Sequence, residues 1–323
     1  MKNGKYISIE RVIESFLRYS ATHHSIKTRD SYESILKQFK GFLDVDNFYD
    51  IDVLHIEEFL LHIKNTPYVR HGKEYMRKPS TVLAMHNTLR SLYTWCEKRD
   101  LVAESIMAKI DRPKANEEPH RPISAEQVKL LLNCALEKDG HSRKKIRTGK
   151  GRNLRSQGRR DQALLALMIE SMLRAQELIN LRLENIEFQR DGGFVRVELG
   201  KGKKSRVVPF GHLCAEILDQ HLLHNNPKPR EALFSSRWGT PFTYQGIYRL
   251  VISAGERAGI EKLNPHRLRT TGACLAAERG VPAYLLQNWM GHTNIKTTMG
   301  YIRYANINTP EARRRYSPLS GQG

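Results

Sequence analysis

The chain has 323 residues, more than one compact domain requires and enough to bury two cores. Its 53 Lys and Arg against 34 Asp and Glu leave a formal charge of +19, which favours a polyanionic partner, nucleic acid ahead of a membrane surface. No apolar run is long enough to span a bilayer and the opening MKNGKYISIE lacks the apolar centre of a secretion signal, so a soluble, cytoplasmic protein is expected.

Apolar residues recur at helical spacing in Ile9, Val12, Ile13, Phe16 and Leu17, and again in Tyr32, Ile35, Leu36, Phe39 and Leu43. Two further amphipathic helices are predicted across DVLHIEEFLLHIKN and STVLAMHNTLRSLYTWCEKR, so residues 1–110 read as an all-α domain. The polar stretch 111–122, DRPKANEEPHRP, holds three prolines and has no period, the composition of an extended linker. A second domain, 123–301, opens at SAEQVKLLL with Ser124 and Gln127 as a capping box, and leaves 302–323 as a tail. Cys96, Cys134, Cys214 and Cys274 are scattered without a CxxC pair, so neither a zinc site nor a disulfide framework is suggested.

A basic run from 141 to 160 includes Arg143, Lys144, Lys145 and Arg147 and has no acidic residue. A solvated loop and a flexible arm on a phosphate backbone are equally good readings of it. Next, RDQALLALMIESMLRAQELINLRL begins with a helix apolar almost all round, expected to be buried and closed by Arg174. A guanidinium there needs an anion: an internal carboxylate such as Glu177, the better reading from this segment alone, or a ligand phosphate. The alternation in FVRVELGKGKKSRVVPF on both sides of a Gly-Lys-Gly turn predicts a β-hairpin with Lys201 at its tip, followed by Lys203 and Lys204.

In NPHRLRTTGACLAAERG, Asn264 can cap a helix begun by Pro265, with His266 and Arg269 on its opening turns. Free backbone N–H groups, the helix dipole and the arginine converge there on a place suited to phosphate, and a solvated helix start is the equal alternative. VPAYLLQNWM reads as a short helix started by Pro282 and stopped by Gly291, with His292 in the following turn and Tyr301 on the next helix. A phenol, with a reference pKa of about 10, needs a base and positive charge around the phosphate it attacks. Arg174, Lys201, His266, Arg269 and His292 would supply both.

In this order, LRAQEL, GKGKK, HRLR and GHTNIKTTMGY, the second domain resembles the catalytic domain of the tyrosine recombinases, the family of phage integrases and Xer-type recombinases. The first resembles, in pattern and size, the family's helical, SAM-like core-binding domain. The fold implied is α+β and mainly α, with a small antiparallel sheet in the catalytic domain. Met172 stands where the family commonly has glycine before LR, and Thr270 where a histidine often follows HxxR.

The resemblance implies transesterification without metal or cofactor, in which Tyr301 attacks a DNA phosphodiester to give a 3′-phosphotyrosine and a free 5′-hydroxyl. It also implies roles. Arg174 and Arg269 would clamp the nonbridging oxygens and His292 would donate a further hydrogen bond, while His266 would accept the tyrosine proton and Lys201 would protonate the 5′-oxygen. Arg143, Lys144, Lys145, Arg147, Lys203 and Lys204 are the expected contacts to the DNA backbone. The implied partners are double-stranded DNA with specific recombination sites and three more copies of the chain, exchanging strands through a Holliday junction. The two domains would close around the duplex and the tail would dock in trans. The helical pattern starts almost at the first residue, so a two-domain, Xer-like form without an arm-binding domain is expected. A type IB topoisomerase shares the chemistry and is the alternative, but it has no use for a docking tail after the nucleophile.

Overall fold

Side-chain caps set most of the helix starts. In the computed structural model, which describes residues 6–70, 72–114, 121–137, 154–198, 205–225, 227–228, 230–303 and 305, the chain divides into two units, 1–118 and 119–323.

In the first unit Ser8 caps α1 (Ile9–His23), Ser25 caps α2 (Ile26–Phe42) and an Asp52–His55 capping box opens α3 (Val53–Asn65). Proline stands at the start of α4 (Pro79–Glu97), where its missing N–H costs nothing. The helical stripes converge on a core of Phe16, Leu36, Phe39, Ile56, Phe59 and Leu89. Each large side chain so buried contributes roughly 1.5–3 kcal/mol. One addition to the expected helices is a short antiparallel hairpin, β1 (Tyr68–Arg70) with β2 (Lys73–Tyr75), in which Tyr68 pairs with Tyr75. Its three-residue strands are too short for alternation to stand out in the sequence.

The second unit begins with α5 (Ala125–Leu136), held at its start by the Ser124–Gln127 capping box. α6 (Leu154–Glu170) takes in the end of the basic run. There Arg160 is buried against Asp161 and the Arg159 guanidinium lies 2.6 Å from His224, so this part of the run is structural rather than loop. The apolar half of α6, Ala163 to Ile169, is buried on every side, as its composition requires. After α7 (Ala175–Asn180) come three antiparallel strands in the order β3 (Ile186–Gln189), β4 (Gly192–Val197) and β5 (Arg206–Gly211).

β4 and β5 are the arms of the expected hairpin, paired from Gly192↔Gly211 to Val197↔Arg206, and β3 extends it by one strand. α8 (His212–Asn225) packs beneath the sheet and against α6, and α9 (Tyr244–Arg257), α10 (Pro265–Glu278), α11 (Ala283–Met290) and α12 (Ile295–Ile302) complete the unit. No helix among the described residues is long and apolar enough to cross a membrane.

Candidate active site

Arg174 does not close a helix, contrary to the expectation from the sequence. α6 stops at Glu170, and Met172 takes a left-handed backbone with φ of 50°, which turns the chain so that Arg174 becomes the N-cap residue of α7. Three residues on, Glu177 accepts from the Arg174 backbone N–H at 2.8 Å and from its guanidinium at 3.0 Å. The internal ion pair weighed for Arg174 is therefore present.

Glu177 gathers two more arginines. Arg206, at the start of β5, donates both terminal nitrogens to its carboxylate at 3.0 and 2.7 Å, and Arg269 lies 3.9 Å away. Burial pushes the Glu177 pKa up, but hydrogen bonds from Arg206 and the Arg174 backbone outweigh it and the net shift is downward. One carboxylate thus faces three guanidinium groups, so among the described residues of the cluster positive charge exceeds negative by two.

The end of α11 supplies hydrogen bonds to the cluster without charge. Three consecutive carbonyls accept from the three arginines: Trp289 from Arg206 at 2.8 Å, Met290 from Arg269 at 2.5 Å and Gly291 from Arg174 at 3.2 Å. A helix C-terminus leaves such carbonyls without helical partners and carries the negative end of the dipole. Gly291 makes the arrangement possible, because its φ is 63° and a Cβ there would lie 3.0 Å from the Arg206 guanidinium.

α10 supplies the next two groups. Asn264 accepts from the Arg267 N–H and Pro265 opens the helix, leaving His266 exposed on the first turn and Arg269 only 3% exposed one turn later. Arg269 also donates to the Met172 carbonyl at 2.6 Å and lies 3.0 Å from His292 Nε2. Burial and then the neighbouring Arg174 bring its pKa down to about 10, so it stays charged at neutral pH. Burial and the Arg269 charge hold His292 down to about 4, so that ring is neutral.

Tyr301 lies on α12 with its hydroxyl 3.3 Å from His266 Nε2, and its ring stacks on His292 with centroids 5.6 Å apart. The Cys274 thiol donates to the Tyr301 carbonyl at 3.1 Å, and a small core of Met172, Cys274, Ala277, Leu286 and Met290 lies under the Tyr301 ring.

Of the residues selected from the sequence, Arg174, His266, Arg269, His292 and Tyr301 thus converge. Lys201, Lys203, Lys204, Arg143, Lys144, Lys145 and Arg147 lie outside the described residues.

The profile of the Phage integrase family matches residues 148–307, and that of the Phage integrase N-terminal SAM-like domain matches 10–103. The chain belongs to this family, the tyrosine recombinases. It is 28% identical to the tyrosine recombinase XerC of Staphylococcus carnosus over 326 residues, covering 95% of this chain and 96% of that one. Among solved structures it resembles a XerH recombinase in a post-cleavage complex with its difH substrate. That likeness has a TM-score of 0.69 and 18% identity over 94% of this chain and 83% of the other. A lambda integrase tetramer bound to a Holliday junction has a TM-score of 0.66 and 16% identity over 92% of this chain and 78% of that one. At these identities the structural likeness is one of fold.

Two site residues of this recombinase were not selected from the sequence. Arg206 carried a signal: it falls in phase with Val208 and Phe210, the buried face of β5, so it is a charge on an apolar face. Thr298, fully buried, bonds His292 Nδ1 at 2.9 Å and had no signal of its own beyond its place in the GHTNIKTTMGY segment.

Proposed function

We propose that this site-specific recombinase cuts DNA with Tyr301 as nucleophile, and that Arg174, His266, Arg269, His292 and Lys201 complete its machinery. The observation that carries the reading is the Tyr301 hydroxyl 3.3 Å from His266 Nε2, beside an arginine cluster with two charges beyond what its carboxylate offsets. A scissile phosphate, singly charged in the ground state and gaining charge as it is attacked, suits that excess.

In the reaction Tyr301 Oη bonds to phosphorus as the bond from phosphorus to the 5′-oxygen breaks. His266 takes the phenol proton and Lys201 gives one to the leaving oxygen. Arg174 and Arg269 hold the nonbridging oxygens. One phosphoester replaces another, so the 3′-phosphotyrosine stores the bond energy for rejoining. Four copies on two specific sites, in the cytoplasm, would carry out two such rounds through a Holliday junction, with Arg143, Lys144, Lys145, Arg147, Lys203 and Lys204 on the DNA backbone. Residues 302–323 would dock in trans on a neighbouring copy. An apolar groove of about 400 Å3 in the second unit, lined by Val128, Leu132, Ile169, Phe210 and Ile217, supports that docking.

The test uses nicked suicide duplexes with randomised arms, from which the protein selects its own substrate. The parent should become covalently linked to DNA at Tyr301, and Tyr301→Phe should bind the selected duplex without linking. A nucleotide mapped to another tyrosine would overturn the assignment.

A further inference from the structure

The contacts of His292 define which of its nitrogens bears the proton. Arg269 can only donate, so the His292 Nε2 that it meets at 3.0 Å must be bare and accepting. The ring is neutral, held so by burial and the surrounding arginines. Its proton is therefore on Nδ1, and it donates to Thr298 Oγ at 2.9 Å. Thr298 is fully buried and stands on α12, one turn before Tyr301. The same ring stacks on Tyr301, and its own backbone is held at both ends by Gln287, whose carbonyl accepts from the His292 N–H and whose side chain donates to the His292 carbonyl. The ring thus has little freedom to change its partners by turning.

In this state His292 presents a lone pair, and a lone pair repels a phosphate oxygen. When a phosphate draws the Arg269 guanidinium, Nε2 must carry a proton to be of use. A hydroxyl is the one side-chain group of this size that can serve both forms, since it accepts from Nδ1–H and donates to a bare Nδ1.

We propose that Thr298 is a positioning residue that serves both tautomers of His292: in the DNA-free enzyme, where Arg269 keeps the proton on Nδ1, it accepts from Nδ1–H, and it turns its own O–H toward Nδ1 when Nε2 must donate to the scissile phosphate. The exchange leaves the ring neutral, because one proton leaves Nδ1 for water and one from water joins Nε2. It couples the nucleophile helix to His292, so that α12 must be seated for the histidine to be held in either form. The donor role of His292 rests on the reading of the site given above, whereas the tautomer of the DNA-free protein does not.

The experiment has two arms. Long-range 1H–15N correlation spectra of the full DNA-free chain, with the His292 signals assigned by their loss in His292→Gln, should show Nδ1 protonated and Nε2 bare. Thr298→Val should leave Nε2 bare, because Arg269 still donates to it, but should lose the hydrogen bond of Nδ1–H, seen as a shifted and faster-exchanging Nδ1 proton, and Thr298→Ser should keep the parent pattern. On a duplex selected by the parent, Thr298→Val should form the Tyr301 adduct about 10-fold more slowly, the worth of one buried hydrogen bond, at unchanged DNA affinity, and Thr298→Ser should recover the rate. A bare Nδ1 in the parent, or a Thr298→Val protein that links to DNA at the parent rate, overturns the proposal. A parent that forms no adduct at Tyr301 sinks the functional reading instead, and the spectra still decide the role of Thr298.

Discussion

Met172 offers a test in which two local effects oppose each other. Its left-handed backbone costs a residue with a Cβ about 1–2 kcal/mol, and glycine there would escape that cost. Yet its side chain is 1% exposed, within the small core under Tyr301, and truncating a buried methionine costs about 2–5 kcal/mol. The second effect is larger, so Met172→Gly should destabilise the second unit by roughly 2 kcal/mol, the difference between the two midpoints. At about 2–4 °C per kcal/mol for a unit of this size, its melting temperature falls by several degrees.

The decisive comparison is with Met172→Ala, which loses nearly the same side chain but keeps the strain. In a helix or strand alanine is the more stabilising of the two residues. At Met172 the order should reverse, with glycine ahead by about 1 kcal/mol, readable by calorimetry of the full chain. Both variants should also lose adduct formation more than DNA affinity, because the cavity opens in the core against which Tyr301 packs and not on an exposed surface. If Met172→Ala proves as stable as Met172→Gly, the reasoning from backbone strain fails.

Two further outcomes follow from the electrostatics and the leaving group. The His292 pKa is held at about 4 in the fold against its usual 6.5, so the unfolded chain binds the proton more readily. Stability should therefore be complete above pH 6.5 and decline as the pH falls toward 4, and His292→Gln should flatten the decline in pH-resolved denaturant titrations; an unchanged slope would assign the effect elsewhere. Lys201→Ala should be slow on ordinary DNA but recover most of its rate on a duplex with sulfur at the scissile 5′-bridging position, since a thiolate departs without a proton; equal defects on both substrates would remove Lys201 from the role of acid.

The sequence was most informative where structure is local. Ser124 with Gln127, Asn264 with Pro265, and Pro282 with Gly291 each act within one turn, so their caps could be read from spacing alone. The buried α6 was legible for the same reason, but its end was not. After Glu170 and Ser171 the apolar pair Met172 and Leu173 stands at helical spacing from Met168 and Ile169, and only a backbone turn at Met172 stops the helix early enough to make Arg174 a cap. That turn is the physical content of the glycine commonly found there in the resembling family, and this chain makes it with a methionine whose side chain fills the core below.

The arginine cluster was legible only in part because its bonds are not local. Arg174 reaches Gly291 across 117 positions and Arg206 reaches Trp289 across 83. What spacing could not convey is why glycine and histidine stand together at 291 and 292. Ending α11 on a left-handed glycine exposes three successive carbonyls to three arginines that come from α7, β5 and α10. The next residue is then delivered against Arg269, with its other ring nitrogen on Thr298 of α12. A single helix end thereby fixes the distance between the positive cluster and Tyr301. The two charges that Glu177 does not offset are held in place by dipoles that neutralise neither of them. Such a site keeps its attraction for a phosphate while remaining ordered without one, because carbonyl oxygens supply hydrogen bonds to the guanidinium groups and leave their net charge intact.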